Sequence, residues 1–257
     1  MAVQVYFIGA GPGDPELLTV KGRKIIEQAD VIIYADSLID SRVCSSARSE
    51  AKIYKSASLS LKEITEIILR AVREGKMVAR LQSGDPSIYG ALQEQIDVLE
   101  EHGIKYEIIP GVSSLCAAAA CLRTELTIPE LSQTVIITRT EGRTPVPEKE
   151  SLRNLATHQA TLAIFLSVSL IERVVEELLD GGYPSETPVA VVYRASWDDE
   201  TVIRSTLKDI VEKVHALGIN RQALILVGSV LDSVGRKGYH SKLYHKNFSH
   251  GYRQRKL

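Results

Sequence analysis

Val3-Gln4-Val5-Tyr6-Phe7-Ile8-Gly9-Ala10-Gly11-Pro12-Gly13-Asp14-Pro15 sets a β-rich run directly before a turn dense in glycine and proline. Thr19 to Ala29 then carries the pattern of a helix capped by Thr19, so the opening reads as strand, turn and helix. The turn does not fit a dinucleotide cradle. The G-x-G-x-x-G pattern needs a glycine where this chain has Asp14. Pro12 and Pro15 lack the backbone N–H that a phosphate would use, and Asp14 adds negative charge where a pyrophosphate would lie. Such a glycine density still calls for close approach of the backbone to something. Two readings stand: a turn shaped for a ligand without phosphate, for which S-adenosylmethionine (adenosine, carboxylate and cationic sulfonium) is suited, and a tight turn with no ligand.

The same alternation continues along the first half. Val31 to Ala35, Val78 to Leu81 and Tyr106 to Ile109 read as further strands. Ile64, Ile67, Ile68, Ala71 and Val72 recur at helical spacing behind a Ser60/Glu63 capping box, and Gly75 stops that helix. Asp85 and Pro86 are placed to start another helix through Ile88, Leu92, Ile96 and Leu99, with Gly103 at its end. Cys116 to Leu122 closes this half as a small-residue helix. The pattern is α/β with a mostly parallel sheet. Two further turns fall at strand ends: Arg80-Leu81-Gln82-Ser83-Gly84-Asp85-Pro86-Ser87-Ile88-Tyr89-Gly90 and Pro110-Gly111-Val112-Ser113-Ser114. With the first turn they line one edge of the sheet and point to a binding cleft.

A second α/β series follows, with Thr134 to Thr138, Thr161 to Leu166, Val189 to Tyr193 and Ala223 to Val227 as strands and Thr201 to Ser205 as a short antiparallel strand. Leu170 to Leu179 and Leu207 to Leu217 are its clearest helices, and Glu141 to Glu150 is a loop. The expected organisation is an N-terminal α/β domain over 1–122, a linker over 123–133, a C-terminal α/β domain over 134–235 and a basic tail over 236–257. Ligands of paired α/β domains tend to lie at strand C-termini, in the cleft between domains.

The 257 residues suffice to bury roughly 70–75% of the chain's surface. Hydrophobic residues at 44% and charged ones at 25% exclude wholesale disorder. No apolar run reaches the ~20 residues of a membrane helix, and Met1-Ala2-Val3-Gln4 shows no secretory pattern, so a cytoplasmic protein is expected. Cys44, Cys116 and Cys121 suggest neither a disulfide framework nor a zinc site. The tail holds seven Lys or Arg and no acid, leaving 24 basic and 32 acidic residues before it, a body at −8 that suits nucleic acid poorly. The five-residue spacing of His240, His245 and His250 matches neither helix nor strand, so no metal site is expected.

Tyr6-Phe7-Ile8-Gly9-Ala10-Gly11-Pro12-Gly13-Asp14-Pro15 with Leu17-Leu18-Thr19, the Ala29-Asp30-Val31 strand entry and the Arg80 to Gly90 block resemble the tetrapyrrole methylases, which methylate uroporphyrinogen and precorrins with S-adenosylmethionine. The resemblance covers residues 3 to about 235. Leu126-Thr127-Ile128-Pro129-Glu130, Gln133 to Arg139, Gly142-Arg143-Thr144-Pro145 and Ala163-Ile164-Phe165-Leu166-Ser167 are most similar to the branch of that family acting at C-11 of cobalt-precorrin-4 in anaerobic cobalamin synthesis. The resemblance implies two α/β domains with the active-site trough between them, a homodimer, and S-adenosylmethionine as methyl donor. Carried over residue by residue, it assigns donor contacts to Pro12, Ser83, Gly84, Asp85, Ile88, Ser113 and Ser114, and from the second domain to Leu166, Arg194 or Ala195, and Ala223. Asp85 pairs with the donor's ammonium or ribose, caps a helix, or does both. Ala195 and Ala223 leave room for adenine or are ordinary core positions.

In some relatives an Asp closing the second strand is credited as a general base, and the resemblance offers Asp36 for that role, although the stretch Tyr34-Ala35-Asp36-Ser37-Leu38 is one residue longer than their Tyr-Asp-x-Leu. A substrate with many carboxylates calls for basic groups, and Lys55, Arg80, Arg123, Arg139, Arg143 and Arg194 are the candidates; a guanidinium can grip both carboxylate oxygens. The competing readings are another precorrin carbon, uroporphyrinogen III or a macromolecular methyl acceptor on the same fold; a methyltransferase with Asp36 as ribose acid; a dehydrogenase, which fails at Asp14; and a non-enzymatic binding module.

Overall fold

The computed structural model describes residues 3–232 together with 238, 239, 241, 243, 248, 249 and 251–253. Most of the basic tail, including His240, His245 and His250, lies outside the described residues. The chain forms two compact units, one of Met1–Ala117 with Arg194–Glu200, the other of Ala118–Tyr193 with the residues from Thr201 onward. The sequence reading cuts the chain once, near residue 122. The structure moves that break into the alanine-rich helix and returns seven residues, Arg194–Glu200, to the first unit.

In the first unit the order is β1 (Val5–Gly9), α1 (Val20–Gln28), β2 (Val31–Tyr34), β3 (Lys52–Lys55), α2 (Leu61–Arg73), β4 (Val78–Gln82), α3 (Gln93–Glu101), β5 (Tyr106–Ile109) and α4 (Ser114–Cys121). The five strands pair in the order β3-β2-β4-β1-β5, all parallel. Parallel pairing requires a crossover after each strand, so every strand's C-terminus reaches the same edge. Ile26 and Ala29 of the α1 region pack with Ile8, Ile32 and Leu81 on one face. Ile64 and Ile68 of α2 and Ile96 and Leu99 of α3 pack with Phe7, Ile33 and Val78 on the other. The chain therefore leaves neighbouring β1 and β4 toward opposite faces, the arrangement that places ligand sites at strand C-termini in open α/β sheets.

Local signals set the helix ends. The Thr19 side chain accepts from Gly22 N–H, and the Ser60/Glu63 capping box forms in full. Asp85, in contrast, does not start a helix. Residues 86–89 form a turn, Tyr89 and Ala91 lie in the left-handed region, and α3 begins only at Gln93 with no side-chain cap. A second difference is β3, which lies at the edge of the sheet with mostly exposed side chains.

The second unit contains β6 (Val135–Thr138), α5 (Leu152–Ala156), β7 (Thr161–Ile164), α6 (Ile171–Asp180), β8 (Pro188–Tyr193), β9 (Thr201–Thr206), α7 (Ile210–Ala216) and β10 (Ala223–Val227). Its sheet runs β6-β7-β10-β8-β9, with only the β6–β7 pair parallel and β9 antiparallel to β8 as read from sequence. One face packs on α5, α6 and α7 through Leu152, Val174, Leu178, Ile210 and Val214.

Candidate functional site

Three turns meet at the carboxyl edge of the first sheet. Gly11 and Gly84 form an isolated antiparallel bridge: Gly84 N–H donates to Gly11 O at 2.8 Å and Gly11 N–H to Gly84 O at 3.2 Å. Ala10 N–H adds a bond to Gln82 O at 2.7 Å. A methyl on Gly9 would lie 2.5 Å from both Cα and N of Gly111, and one on Gly111 would lie 2.7 Å from Gly9 Cα and overlap Gly84 O. The glycines here are thus required by backbone packing on backbone. The close approach inferred from the sequence is real, but its partners are the neighbouring turns and, at Gly13, the indole of Trp197.

Asp85 ties two of these turns together. Its Oδ2 accepts from Gly111 N–H at 2.9 Å, while Oδ1 accepts from Ser87 N–H at 2.9 Å and from the Ser87 hydroxyl at 2.5 Å. Partial burial pushes the carboxyl pKa upward, yet the Ser87 and Gly111 bonds outweigh it and hold the group below the usual aspartate value. Asp85 is accordingly an ionised turn-to-turn strut, and the reading of it as helix cap is corrected. Asp14 caps a short 3-10 turn, Pro15–Leu17, by accepting from Glu16 N–H at 2.8 Å.

The other donor-site residues are distributed as follows. Pro12 and Ser113 are buried, Ser83, Ile88 and Ser114 half-buried, and Ser113 Oγ accepts from Leu115 N–H at 3.2 Å. Gly84 has φ +65°, a conformation glycine adopts without strain. Arg194 and Ala195 belong to the first unit, which corrects their placement in the second domain; Ala195 is buried. In the second unit Leu166 stands 69% exposed with φ +55°, a conformation costly for leucine. Ala223, at the start of β10, packs on that unit's core, which favours the core reading of this alanine.

The candidate basic groups separate by environment. Arg80 is buried: Nε donates to Gln95 Oε1 at 3.0 Å, and Nη1 donates to Ser56 Oγ at 3.1 Å and the Ile33 carbonyl at 3.4 Å. Burial pulls its pKa down to about 10. Its donors serve the interior of the first unit, so Arg80 is corrected from substrate ligand to interior cation. Arg139 holds its own loop by donating to the carbonyls of Thr144 at 3.1 Å and Pro145 at 2.7 Å. Arg194 pairs with Asp199. Lys55, Arg123 and Arg143 are exposed. Asp36 is exposed beyond β2, and its Oδ1 accepts from Ala57 N–H at 3.1 Å, which joins the tips of β2 and β3.

Sequence reasoning overlooked Trp197, the chain's single tryptophan, and Gln82, whose Nε2 is buried without a hydrogen-bond partner. The signal for Trp197 was its isolation; nothing local pointed to its partner in the glycine turn. Among the described residues there is no cluster of His, Cys, Asp or Glu able to hold a metal, and no helix is long and apolar enough to cross a membrane.

The segments 9–15, 82–90 and 110–114 contain no Lys or Arg. Neutral backbone and hydroxyl groups with an ionised aspartate suit a cationic, phosphate-free ligand and would leave a pyrophosphate without a counter-charge. A donor such as S-adenosylmethionine fits this set.

A family profile described as Tetrapyrrole (Corrin/Porphyrin) Methylases matches residues 4–211. A cobalt-precorrin-4 C(11)-methyltransferase of Methanocaldococcus jannaschii is 62% identical over 252 residues, covering 98% of this chain and 96% of that protein. The solved structure of a cobalamin biosynthetic enzyme, a cobalt precorrin-4 methyltransferase, superposes with a TM-score of 0.87 at 50% identity, covering 89% of this chain and 95% of that one. A uroporphyrin-III C-methyltransferase from Thermus thermophilus, solved with S-adenosyl homocysteine, gives a TM-score of 0.74 at 31% identity, covering 89% of this chain and 98% of that one.

Proposed function

The chain belongs to the tetrapyrrole methylases, and from that premise we propose that it transfers a methyl group from S-adenosylmethionine to C-11 of cobalt-precorrin-4 in the building of the corrin ring. The observation that carries this reading is the 62% identity, sustained over 98% of the chain, to a protein of that activity. The charge of the three turns agrees with it.

Bound S-adenosylmethionine supplies an electrophilic sulfonium methyl. The task left to the protein is alignment of that methyl with the attacking ring carbon, and the residues at the sheet edge are placed to supply the positioning. Gly84 and the Gly11 bridge fix the backbone that faces the donor, and Asp85 holds the 83–87 and 110–114 turns in register with its charge intact. The three turn segments contribute no basic side chain that would repel a sulfonium, and the Arg194 guanidinium on the Trp197 ring is paired with Asp199. Lys55, Arg123 and Arg143 are exposed and suited to the substrate's carboxylates. Asp36 is the candidate base for a proton that the macrocycle gives up as its ring carbon is methylated, with its carboxylate steadied by Ala57 N–H.

The working unit proposed is a homodimer in the cytoplasm. Exposed apolar residues on edge strands, Ile53 of β3 and Ile108 of β5, support association, and the absence of any disulfide among Cys44, Cys116 and Cys121 suits a reducing compartment. The decisive experiment supplies labelled S-adenosylmethionine and cobalt-precorrin-4 and locates the new methyl on the product. Label at C-11 is expected. Label at another carbon, or on uroporphyrinogen III in preference, overturns the substrate assignment; no transfer overturns the function.

A further inference from the structure

The turn at 12–14 is already filled, and the group that fills it comes from the same chain. Between β8 and β9, residues Arg194–Glu200 are counted with the first unit. There Trp197 Nε1 donates to the Pro12 carbonyl at 2.9 Å, and Asp14 N–H donates to Ser196 Oγ at 3.0 Å. A methyl on Gly13 would overlap Cδ1 and Nε1 of the indole and lie 2.9 Å from its Cγ. Gly13 is thus the space in which the indole sits.

Further contacts hold the indole there. The Arg194 guanidinium stacks on the Trp197 ring with its carbon 3.9 Å from the ring centre, and the same guanidinium pairs with Asp199. Asp198 pairs with Arg42 at 3.2 Å, and Ser196 N–H donates to Glu200 at 2.7 Å. Arg194 and Ser196 both have positive φ, +47° and +69°, conformations that cost energy in residues bearing a Cβ. This stretch accepts backbone strain in order to deliver one side chain to one glycine.

We propose that Trp197 is a positioning residue for the methyl donor. It fixes Pro12–Asp14 through the Nε1–Pro12 bond and the fit to Gly13, and through the Gly11–Gly84 bridge it sets the Ser83–Asp85 turn. The proposal rests on the reading of these turns as the donor site, and it makes the glycine turn a socket for the protein's own indole. Trp197 acts on the donor through other residues, so its removal changes donor affinity and alignment before it changes the fold.

The test measures the affinity of the full-length protein for S-adenosyl homocysteine by calorimetry, with kcat and KM on the tetrapyrrole and far-UV circular dichroism alongside. Trp197→Phe keeps a ring and loses the N–H, and is expected to weaken binding about fivefold, the worth of one net hydrogen bond. Trp197→Ala is expected to weaken it about tenfold or more and to lower kcat, with the circular dichroism spectrum unchanged. Gly13→Ala, which expels the indole, should match Trp197→Ala. The double variant should be no worse than either single one, because both remove the same fit. Variants that bind and turn over like wild type while melting at a lower temperature overturn the proposal, as does additivity in the double variant. Wild-type protein that binds no S-adenosyl homocysteine refutes the donor site itself. Wild-type binding with unaffected variants refutes only the role of Trp197.

Discussion

Gly9→Ala tests whether backbone packing among the turns, and not turn conformation, makes glycine necessary there. The added methyl would lie 2.5 Å from Gly111 Cα and N and 2.8 Å from Gly84 O, against an ordinary carbon contact of about 3.5–4.0 Å. Relief requires the tips of β1 and β5 to part by about 1 Å, and no flexible side chain can absorb the shift. The parallel β1–β5 ladder through Ile8 and Ile109 and the Ala10–Gln82 bond oppose it. Overpacking costs about 1–3 kcal/mol, and loss of the paired Gly11–Gly84 bonds adds about 1–2 kcal/mol, for a total of about 2–5 kcal/mol. Gly75→Ala is the control: φ there is +72° with nothing within 4 Å of the added methyl, so only the left-handed strain of about 1–2 kcal/mol applies. Trp197 lies in the first unit, so its fluorescence follows urea unfolding of the unit that contains both glycines. With a slope of about 2 kcal/mol/M, the midpoint should fall by about 1–2.5 M for Gly9→Ala and about 0.5–1 M for Gly75→Ala. Equal midpoints would refute the packing argument.

Arg80→Met removes the donors that serve Gln95, Ser56 and the Ile33 carbonyl, and should destabilise the first unit by about 1–3 kcal/mol while leaving the tetrapyrrole KM within about twofold. A raised KM at unchanged stability would return Arg80 to substrate binding. The Asp30 carboxyl is held below its usual pKa by Met77 N–H at 2.7 Å and by Arg48, with burial opposing. A depressed folded pKa means that the stabilisation is complete above the unfolded value of about 4 and is lost as pH falls through the folded one. The stability gap between wild type and Asp30→Asn should therefore be smaller at pH 3 than at pH 7 in urea midpoints, and a constant gap contradicts the linkage. Asp36→Asn should lower kcat by about 10²-fold or more with affinity for S-adenosyl homocysteine unchanged, and full turnover removes Asp36 as the base.

Features governed by neighbours in sequence were legible. The Thr19 cap and the Ser60/Glu63 box act within a single turn, and Gly75 and Gly103 adopt the positive φ of helix ends. The short antiparallel β9 could be read because its residues pair with the adjacent β8. β3 was missed because Lys-Ile-Tyr-Lys on an exposed edge buries too little to leave a hydrophobic pattern. Asp85-Pro86 looked like a helix start because a cap signature is local, whereas Gly111, which claims the Asp85 carboxylate, is 26 residues away. Trp197 and Pro12 are separated by 185 residues, beyond any local pattern. For the site, the resemblance identified the turns, while the division of the arginines into interior, loop-holding and exposed groups depended on burial.

The position of Arg194–Glu200 has a consequence for synthesis on the ribosome. A nascent chain ending at Ala117 has every strand of the parallel sheet but lacks the residues that seat the glycine turn. The 83 further residues to Glu200 take roughly 4–17 s at about 5–20 residues per second. During that interval Pro12, Gly13 and Asp14 have no indole or serine hydroxyl to meet. A gene fragment cut after the first sheet would reproduce this unfinished stage permanently, so a stand-alone version of the unit needs the 194–200 segment grafted back.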